Sequence, residues 1–359
     1  MRWASTLREA ALDVQSGTTK ATMLGCVLFA VVLVLGLAEI GTMSQLLTAA
    51  DVYRRAGGAT LVYIAPQQID GPACDRLTTI PGIDAAGAMR PSIENERLLA
   101  LPSSSVPTFE ASPGFSGFVA LDTPRPHRGV LVSAALADAL ELDASDKLPL
   151  MSGTVEVGAV FTSAEDGRRP GLGYALIAPT AAIGPFDECW IDTWPQSQSS
   201  TDALRTVLLP GAGATDASPP RLAQLNSTLG AHFDGAARYA ERLSRFAPLA
   251  GIVIAAAIGF VATRTRRLEL ASARHAGVPV GSQVLQLVCE TLCWAVGAAV
   301  MAVSAILLLL EIAPQEGLGV VAGIAIRPAV VAVPAVLCGV IGGVALTKEE
   351  QLFRYFKER

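Results

Sequence analysis

Residues Ala21 to Gly41 read ATMLGCVLFAVVLVLGLAEIG, an apolar run with a single charge, Glu39, near its end. A helix needs about 20 predominantly apolar residues to cross the hydrocarbon core of a bilayer. The run is too long for the apolar core of a cleaved signal peptide, and no small-residue cleavage site follows it. We therefore interpret it as a retained membrane span.

Three further runs are long and apolar enough to span: Ala247 to Thr263, Val284 to Leu310, and Ala329 to Leu346. The mean hydropathy is +0.45 and only 16% of residues are charged, whereas about a quarter is usual in soluble proteins. The apolar residues concentrate near the N-terminus and in the last third of the chain. This distribution predicts an α-helical membrane protein with four transmembrane helices.

The basic residues predict the orientation of the spans. Lys and Arg precede the first span, lie between the second and third, and follow the fourth: Arg2, Arg8, Lys20, Arg264, Arg266, Arg267, Arg274, Lys348, Arg354, Lys357 and Arg359. Because such residues favour the cytoplasmic side, both termini are expected there and residues 51–245 outside. That outer segment holds 22 Asp and Glu against 15 Lys and Arg, so it lacks the basic footprint of a nucleic-acid partner.

The outer segment reads as an α+β extracytoplasmic domain. Thr60 to Ile64 and Thr154 to Phe161 are typical of strands, and Ala134 to Leu142 has helical spacing. Cys74 and Cys189 are the two cysteines of this segment, and an oxidising compartment permits them to pair. We predict a disulfide between them.

The outer domain is expected to stand on a helical stalk. The helical pattern of the first span continues to Tyr53 and stops at Gly57-Gly58. A repeat with three- and four-residue spacing precedes the second span, at Leu222, Leu225, Leu229, His232, Ala236, Tyr239, Leu243 and Phe246. It predicts a helix continuous with that span, and the alternative is a helix buried in the core of the outer domain. His232 would then be a packed histidine, and no spacing indicates a metal site.

These patterns divide the chain into seven segments. They are a cytoplasmic amphipathic helix at 1–20, the first span and stalk at 21–56, the outer domain at 57–219, the second stalk and span at 220–263, a cytoplasmic loop at 264–280, the third and fourth spans at 281–346, and a cytoplasmic tail at 347–359. The first segment carries Trp3 and apolar residues at helical spacing, which suits a helix lying on the membrane surface.

Residues 264–297 read RTRRLELASARHAGVPVGSQVLQLVCETLCWAVG and resemble the second cytoplasmic loop and next span of MacB/FtsX-type ABC permeases. In that family a Glu is followed by an Arg five residues later, a Gly three residues after the Arg, and a second Glu thirteen residues after the Gly. The matching residues here are Glu269, Arg274, Gly277 and Glu290. TLREAAL at 6–12 resembles the helix before the family's first span. Residues 129–161 resemble the MacB-type outer domain, although Ser145-Asp146 stands where Gly-Asp is common. The size of the outer domain is closer to the MacB type.

The resemblance implies that the loop couples to an ATPase through Arg266, Arg267, Glu269, Arg274 and Gly277. We expect Glu269 and Arg274 to lie on a helix that ends at Gly277 and Pro279. A basic loop that only sets topology would explain the arginines but not the spacing to Glu290. A carboxylate within a span is costly, so Glu290 is expected to face other helices or the inner interface. It is either a structural hydrogen-bonding group or a moving part.

The chain contains no GxxxxGK[ST] sequence to cradle ATP phosphates, so ATP and Mg are expected on a separate ATPase and no cofactor on this chain. The resemblance implies a non-catalytic permease of a bacterial cytoplasmic membrane that moves a peptide, lipoprotein, antibiotic or other amphipathic substrate. Its expected partners are two ATPase copies, a second permease copy, membrane lipid and an extracellular substrate-binding protein. The alternative is an FtsX-like transducer that transports nothing and activates an extracellular cell-wall hydrolase.

Overall fold

The computed structural model describes residues 20–121, 129–163, 166–210, 218–312 and 317–348. The chain forms two compact units: a membrane unit, Met1–Thr48 with Gly235–Arg359, and a sheet unit, Ala49–Asp234. The predicted amphipathic helix, apart from Lys20, and the tail beyond residue 348 lie outside the described residues. The sheet unit is therefore inserted in the sequence between the first span and the other three.

Helix α1, Ala21–Arg55, contains the whole first apolar run and continues beyond it, as the helical pattern predicts. It ends at Gly57, whose φ of +79° is a left-handed conformation that favours glycine. The Gly57 and Gly58 amides donate to the carbonyls of Arg54 and Tyr53, both at 2.9 Å, which satisfies the last turn.

In its described residues, the sheet unit forms a mixed sheet of twelve strands. The strands are β1 Thr60–Asp70, β2 Ile83–Pro91, β3 Glu96–Leu98, β4 Leu101–Val106, β5 Thr108–Ala111, β6 Ala120–Leu121, β7 Val130–Ser133, β8 Lys147–Leu150, β9 Gly153–Thr162, β10 Leu176–Pro179, β11 Pro185–Thr193 and β12 Arg221–Gln224. Their order is β12-β1-β11-β2-β5-β10-β7-β9-β8-β3-β4, with β6 beside β9. The β5–β10 and β7–β9 pairs are parallel, and the other named pairs are antiparallel.

Short α-helices in the described ranges cover this sheet: α2 Gly71–Asp75, α3 Ala134–Leu140 and α4 Gln198–Leu204. Successive side chains of strand β11 point to opposite faces of the sheet, so they pack into two separate hydrophobic clusters. Cys189 and Ile191 pack with the residues around α2 and α4, whereas Trp190 packs with Phe115 in another cluster. The predicted α+β domain is confirmed.

The predicted second stalk helix is wrong. Arg221–Gln224 is strand β12, which pairs with Leu61–Ile64 of β1, and Gly230 has a φ of +89°. A single 3-10 turn at Ser227–Leu229 follows the strand, and the next α-helix is α5, Gly235–Glu241, followed by a 3-10 turn at Leu243–Phe246. The apolar stripe does not form a buried face, since Leu222 is 44% and Leu243 85% exposed. His232 is exposed rather than packed, so the buried-helix alternative is also wrong.

The membrane unit continues with α6 Ala247–Thr265, α7 Arg267–His275, α8 Val280–Ile312, α9 Leu318–Ala325 and α10 Arg327–Ala345. Among the described residues, four helical stretches are long and apolar enough to cross a membrane: Ala21–Arg55, Leu243–Thr265, Val280–Ile312 and Leu318–Ala345. Three of the predicted spans lie within one of these stretches, and the fourth, Ala329 to Leu346, extends one residue beyond its stretch. The expectation of four transmembrane helices is confirmed.

Glycines let α6 and α10 approach closely. A Cβ at Gly339 would overlap the Ala256 carbonyl, and one at Gly259 would overlap the Val336 carbonyl. Small residues at helix interfaces are the usual means of close packing in membranes, where burial of apolar surface gives no driving force between helices. Helices α6 and α10 therefore pack backbone against backbone.

Candidate functional site

The loop between α6 and α8 folds into the short helix α7. Arg266 interrupts α6, and its amide donates to the Thr263 carbonyl at 3.1 Å. At the other end, Gly277 has a φ of +90° and donates its amide to the Arg274 carbonyl at 2.8 Å. Pro279 follows, which cannot continue the hydrogen-bonding pattern of a helix. The structure thus has a two-turn helix with a defined start and stop, where the sequence predicted one.

Helix α7 has a buried face and an exposed face. Leu270 and Ala271 are buried, and Leu270 packs in a cluster with Leu287 of α8 and with Val340 and Val344 of α10. On the opposite face, Glu269, Ser272 and His275 are exposed in the described part of the chain. One side of α7 is therefore fixed to two spans, and the other is available to a partner.

Arg266 brings the two glutamates of the sequence motif together. Its Nη2 and Nε lie 2.6 and 2.9 Å from the carboxylate of Glu269, and its Nη1 lies 2.5 Å from Oε2 of Glu290. Glu290 is 3% exposed, and Gln286 donates to its Oε1 at 3.1 Å. The buried carboxylate in the span is thus neutralised by a cation at the junction of α6 and α7.

The same contacts keep Arg266 charged. Burial lowers the pKa of the Arg266 guanidinium, but the hydrogen bond to Glu269 and the negative charges of Glu290 and Glu269 raise it, and the net effect is a rise above the ordinary value. The side chain is 13% exposed. Arg266 is therefore a permanent cation that joins the start of α7 to α8.

Arg274 fixes the other end of α7. Its Nη2 donates to the Val344 carbonyl at 2.8 Å, its Nη1 donates to the Thr347 carbonyl, and its Nε donates to Gln283 Oε1 at 3.0 Å. A cation is favourable at the carbonyl end of a helix, where the last acceptors lack partners within the helix. Arg274 therefore caps α10 and joins it to α7.

Arg267 lies in a groove beside α7. The groove has a volume of about 570 Å³ and is lined by Val261, Arg264, Thr265, Arg266, Arg267, Leu268 and Glu269. Arg264 donates to the Leu346 carbonyl at 3.3 Å, close to the end of α10. The groove is thus rimmed by three arginines and one exposed carboxylate.

The structure separates the predicted coupling residues into two groups. Arg266, Glu269 and Glu290 meet at the start of α7, whereas Arg274 lies at its end with Gly277 behind it. Sequence reasoning missed Gln283 and Gln286. Their signal was visible as polar side chains at helical spacing before Glu290 in an otherwise apolar span.

The other predicted site lies in the sheet unit. Cys74 of α2 and Cys189 of β11 form a disulfide, with a Cα–Cα distance of 5.9 Å. It joins a short helix to a strand in the interior of the sheet, and both cysteines are fully buried. Among the described residues, no three His, Cys, Asp or Glu side chains come together as metal ligands.

Comparison with known proteins gives distant structural likenesses. No protein-family model and no curated protein sequence matches the chain. The periplasmic region of MacB from Actinobacillus actinomycetemcomitans is similar with 10% identity and a TM-score of 0.33, covering 45% of this chain and 86% of that one. The extracellular domain of the noncanonic ABC-type transporter YknZ from Gram-positive bacteria is similar with 12% identity and a TM-score of 0.30, covering 41% and 92%. Likenesses of this degree do not define a family.

Proposed function

We propose that this chain is the permease subunit of an ABC transporter of the MacB-like mechanotransmission type, and that a separate ATPase docks on α7. The spacing of Glu269, Arg274, Gly277 and Glu290 supports the docking role. The observation that carries the proposal is the division of α7 into an anchored face and an exposed face.

The anchored face explains how motion of an ATPase would reach the spans. Arg266 links α7 to Glu290 of α8, Arg274 links it to the end of α10, and Leu270 packs between both helices. Packed helices move as rigid bodies or slide by small shears. A displacement of α7 is therefore passed to α8 and α10 together.

The exposed face supplies the contact with the ATPase. Glu269, Ser272 and His275 recur at three-residue spacing, so they share one side of α7. Glu269 remains 58% exposed although it binds Arg266. We assign direct contact with the ATPase to this side, and we assign Arg266 and Arg274 to anchoring.

The proposal includes an orientation and a substrate class. We propose that α7 lies on the cytoplasmic side of a bacterial membrane and the sheet unit outside, which the arginines around α7 support through the positive-inside rule. Two permease copies would bind two ATPase copies, and the substrate would be a peptide, lipoprotein, antibiotic or other amphipathic molecule at the outer face. ATP and Mg would reside on the ATPase.

Affinity purification tests the proposal. The tagged chain is solubilised from its native membrane, and co-purifying chains are identified by mass spectrometry. We expect a protein with a GxxxxGK[ST] sequence, lost with Ser272→Trp on the exposed face of α7 and retained with the control Ser199→Trp on the sheet unit. Undiminished ATPase recovery with Ser272→Trp would show that α7 is not the docking element. Recovery of the ATPase with a cell-wall hydrolase would favour the FtsX-like transducer.

A further inference from the structure

A second buried carboxylate lies in the membrane unit, away from α7. Glu39 of α1 is 1% exposed, although it follows the apolar part of the first span. Its Oε2 accepts a hydrogen bond from Ser244 Oγ at 3.0 Å and lies 3.4 Å from Nε of Arg242. Thr42, one turn further along α1, lies 2.8 Å from Ser244, oxygen to oxygen. These four residues form the Glu39 cluster.

The cluster sits on the break before α6. Arg242 has a ψ of 136°, so helix α5 ends there and a 3-10 turn begins at Leu243. A short 3-10 segment between helices often marks a hinge. Arg242 stands before the break and Ser244 after it, and one oxygen of Glu39 binds both. The carboxylate therefore fixes the chain on each side of the point where its direction changes.

Arg242 also reaches back to α5. Its Nη1 donates to the Tyr239 carbonyl at 2.7 Å, and its guanidinium carbon lies 3.7 Å from the centre of the Tyr239 ring. Tyr239 packs against the hydrophobic cluster of Met43, Ile306 and Ile324. The end of α5 is thus connected to α1 both through Arg242 and through the packing of Tyr239.

We propose that Glu39 is a positioning residue. It holds the helix break, residues 242–246, against α1 and so sets the direction of α5 relative to α6. An exposed ion pair would hold the segment weakly, because water screens it. The Glu39 carboxylate is 1% exposed and the Arg242 side chain 12% exposed, so water competes little with this ion pair. The inference goes beyond the proposed function and needs no ATPase.

Hydrogen exchange of the full chain in lipid nanodiscs tests whether Glu39 holds residues 242–246 against α1. Glu39→Gln keeps the shape of the side chain and removes its charge. We expect amides of residues 235–246 to exchange at least tenfold faster, with α8 and α10 unchanged. Glu241→Gln is the matched control, since Glu241 is exposed and adjacent to the break. Unchanged exchange at 235–246 overturns the proposal, and so does an equal rise in all spans, which would indicate general destabilisation.

A covalent replacement separates positioning from folding. Thr42→Cys with Ser244→Cys places two thiols where the hydroxyls now touch, and oxidation would join α1 to the segment without the carboxylate. In the Glu39→Gln background, the oxidised protein should recover slow exchange at 235–246, and reduction should abolish the recovery. Fast exchange in the oxidised protein would show that this contact does not set the direction of α5.

Discussion

Arg266 and Glu290 stand 24 positions apart in the sequence and meet at 2.5 Å, with the carboxylate almost wholly shielded from solvent. The pair matters mainly because the buried Glu290 carboxylate would lose its cation without Arg266, whereas Arg266 also pairs with Glu269. Breaking a buried pair by removing one partner typically destabilises by about 3–5 kcal/mol, whereas replacing both is much less harmful. Glu290 therefore depends on Arg266 more than Arg266 depends on Glu290.

The first prediction concerns this dependence. Arg266→Gln should lower the apparent unfolding temperature in detergent strongly, because the buried Glu290 carboxyl group loses its cation. Glu290→Gln should lower it less than Arg266→Gln, since Arg266 keeps Glu269. The double variant should be more stable than Arg266→Gln alone, which a double-mutant cycle measures. Arg267→Gln serves as the adjacent control, and additive effects of the two substitutions would contradict the coupling.

The second prediction separates docking from anchoring on α7. Glu269→Gln should reduce recovery of the ATPase and lower the unfolding temperature less than Arg274→Glu does, because Glu269 is mostly exposed and Arg266 keeps Glu290. Arg274→Glu should reduce both, because it removes the cap from the carbonyl end of α10 and places an anion there. Pull-down and thermal unfolding of the same preparations provide the comparison. Equal stability of the two variants would argue against an anchoring role for Arg274.

The third prediction concerns helix packing. Gly339→Ala should destabilise the membrane unit by about 1–3 kcal/mol, because the added methyl meets the Ala256 carbonyl of α6. Gly342→Ala, on the same helix, is the control, since a Cβ there meets nothing within 4 Å. Alanine favours a helix over glycine by up to about 1 kcal/mol, so the control should be neutral or stabilising. Equal losses at both positions would contradict close contact of α6 and α10.

The fourth prediction concerns the disulfide. In the denatured, unreduced protein, a thiol reagent should label the cysteines of the spans but neither Cys74 nor Cys189. Replacing both with alanine should destabilise the sheet unit by up to about 4 kcal/mol, since the closed loop is long. Limited proteolysis, with Cys338→Ala as control, reports on that unit. Labelling at both positions of the unreduced protein would exclude the bond.

Hydropathy and local spacing predicted the parts of the fold that depend on nearby residues. The spans, the extent of α1 and the short α7 follow from apolar length and from the stop signal at Gly277. The repeat from Leu222 to Phe246 gave a wrong prediction of a continuous helix, because apolar residues such as Leu222 also suit a strand. The ladder with β1 and the left-handed Gly230 determine the actual path, and neither is encoded in the spacing.

The sequence indicated which residues to consider for the candidate site, but not which contacts they make. The spacing of Glu269, Arg274 and Glu290 singled out residues that lie around α7, but it did not reveal that Arg266 is the partner of Glu290. Nor could it show that Arg274 binds main-chain carbonyls 70 or more positions away. Contacts of this kind arise from the packing of α7 on α8 and α10, which no local pattern contains.

The contact of Glu39 with Arg242 sets a constraint on the order of synthesis, because the two residues lie 203 positions apart. Ribosomes add about 5–20 residues per second, so about 10–40 s pass between the two residues during translation. Throughout that interval Glu39 exists without the two side chains, Arg242 and Ser244, that bind it in the folded protein. The contact that positions the break before α6 can therefore form only after the whole sheet unit has been synthesised.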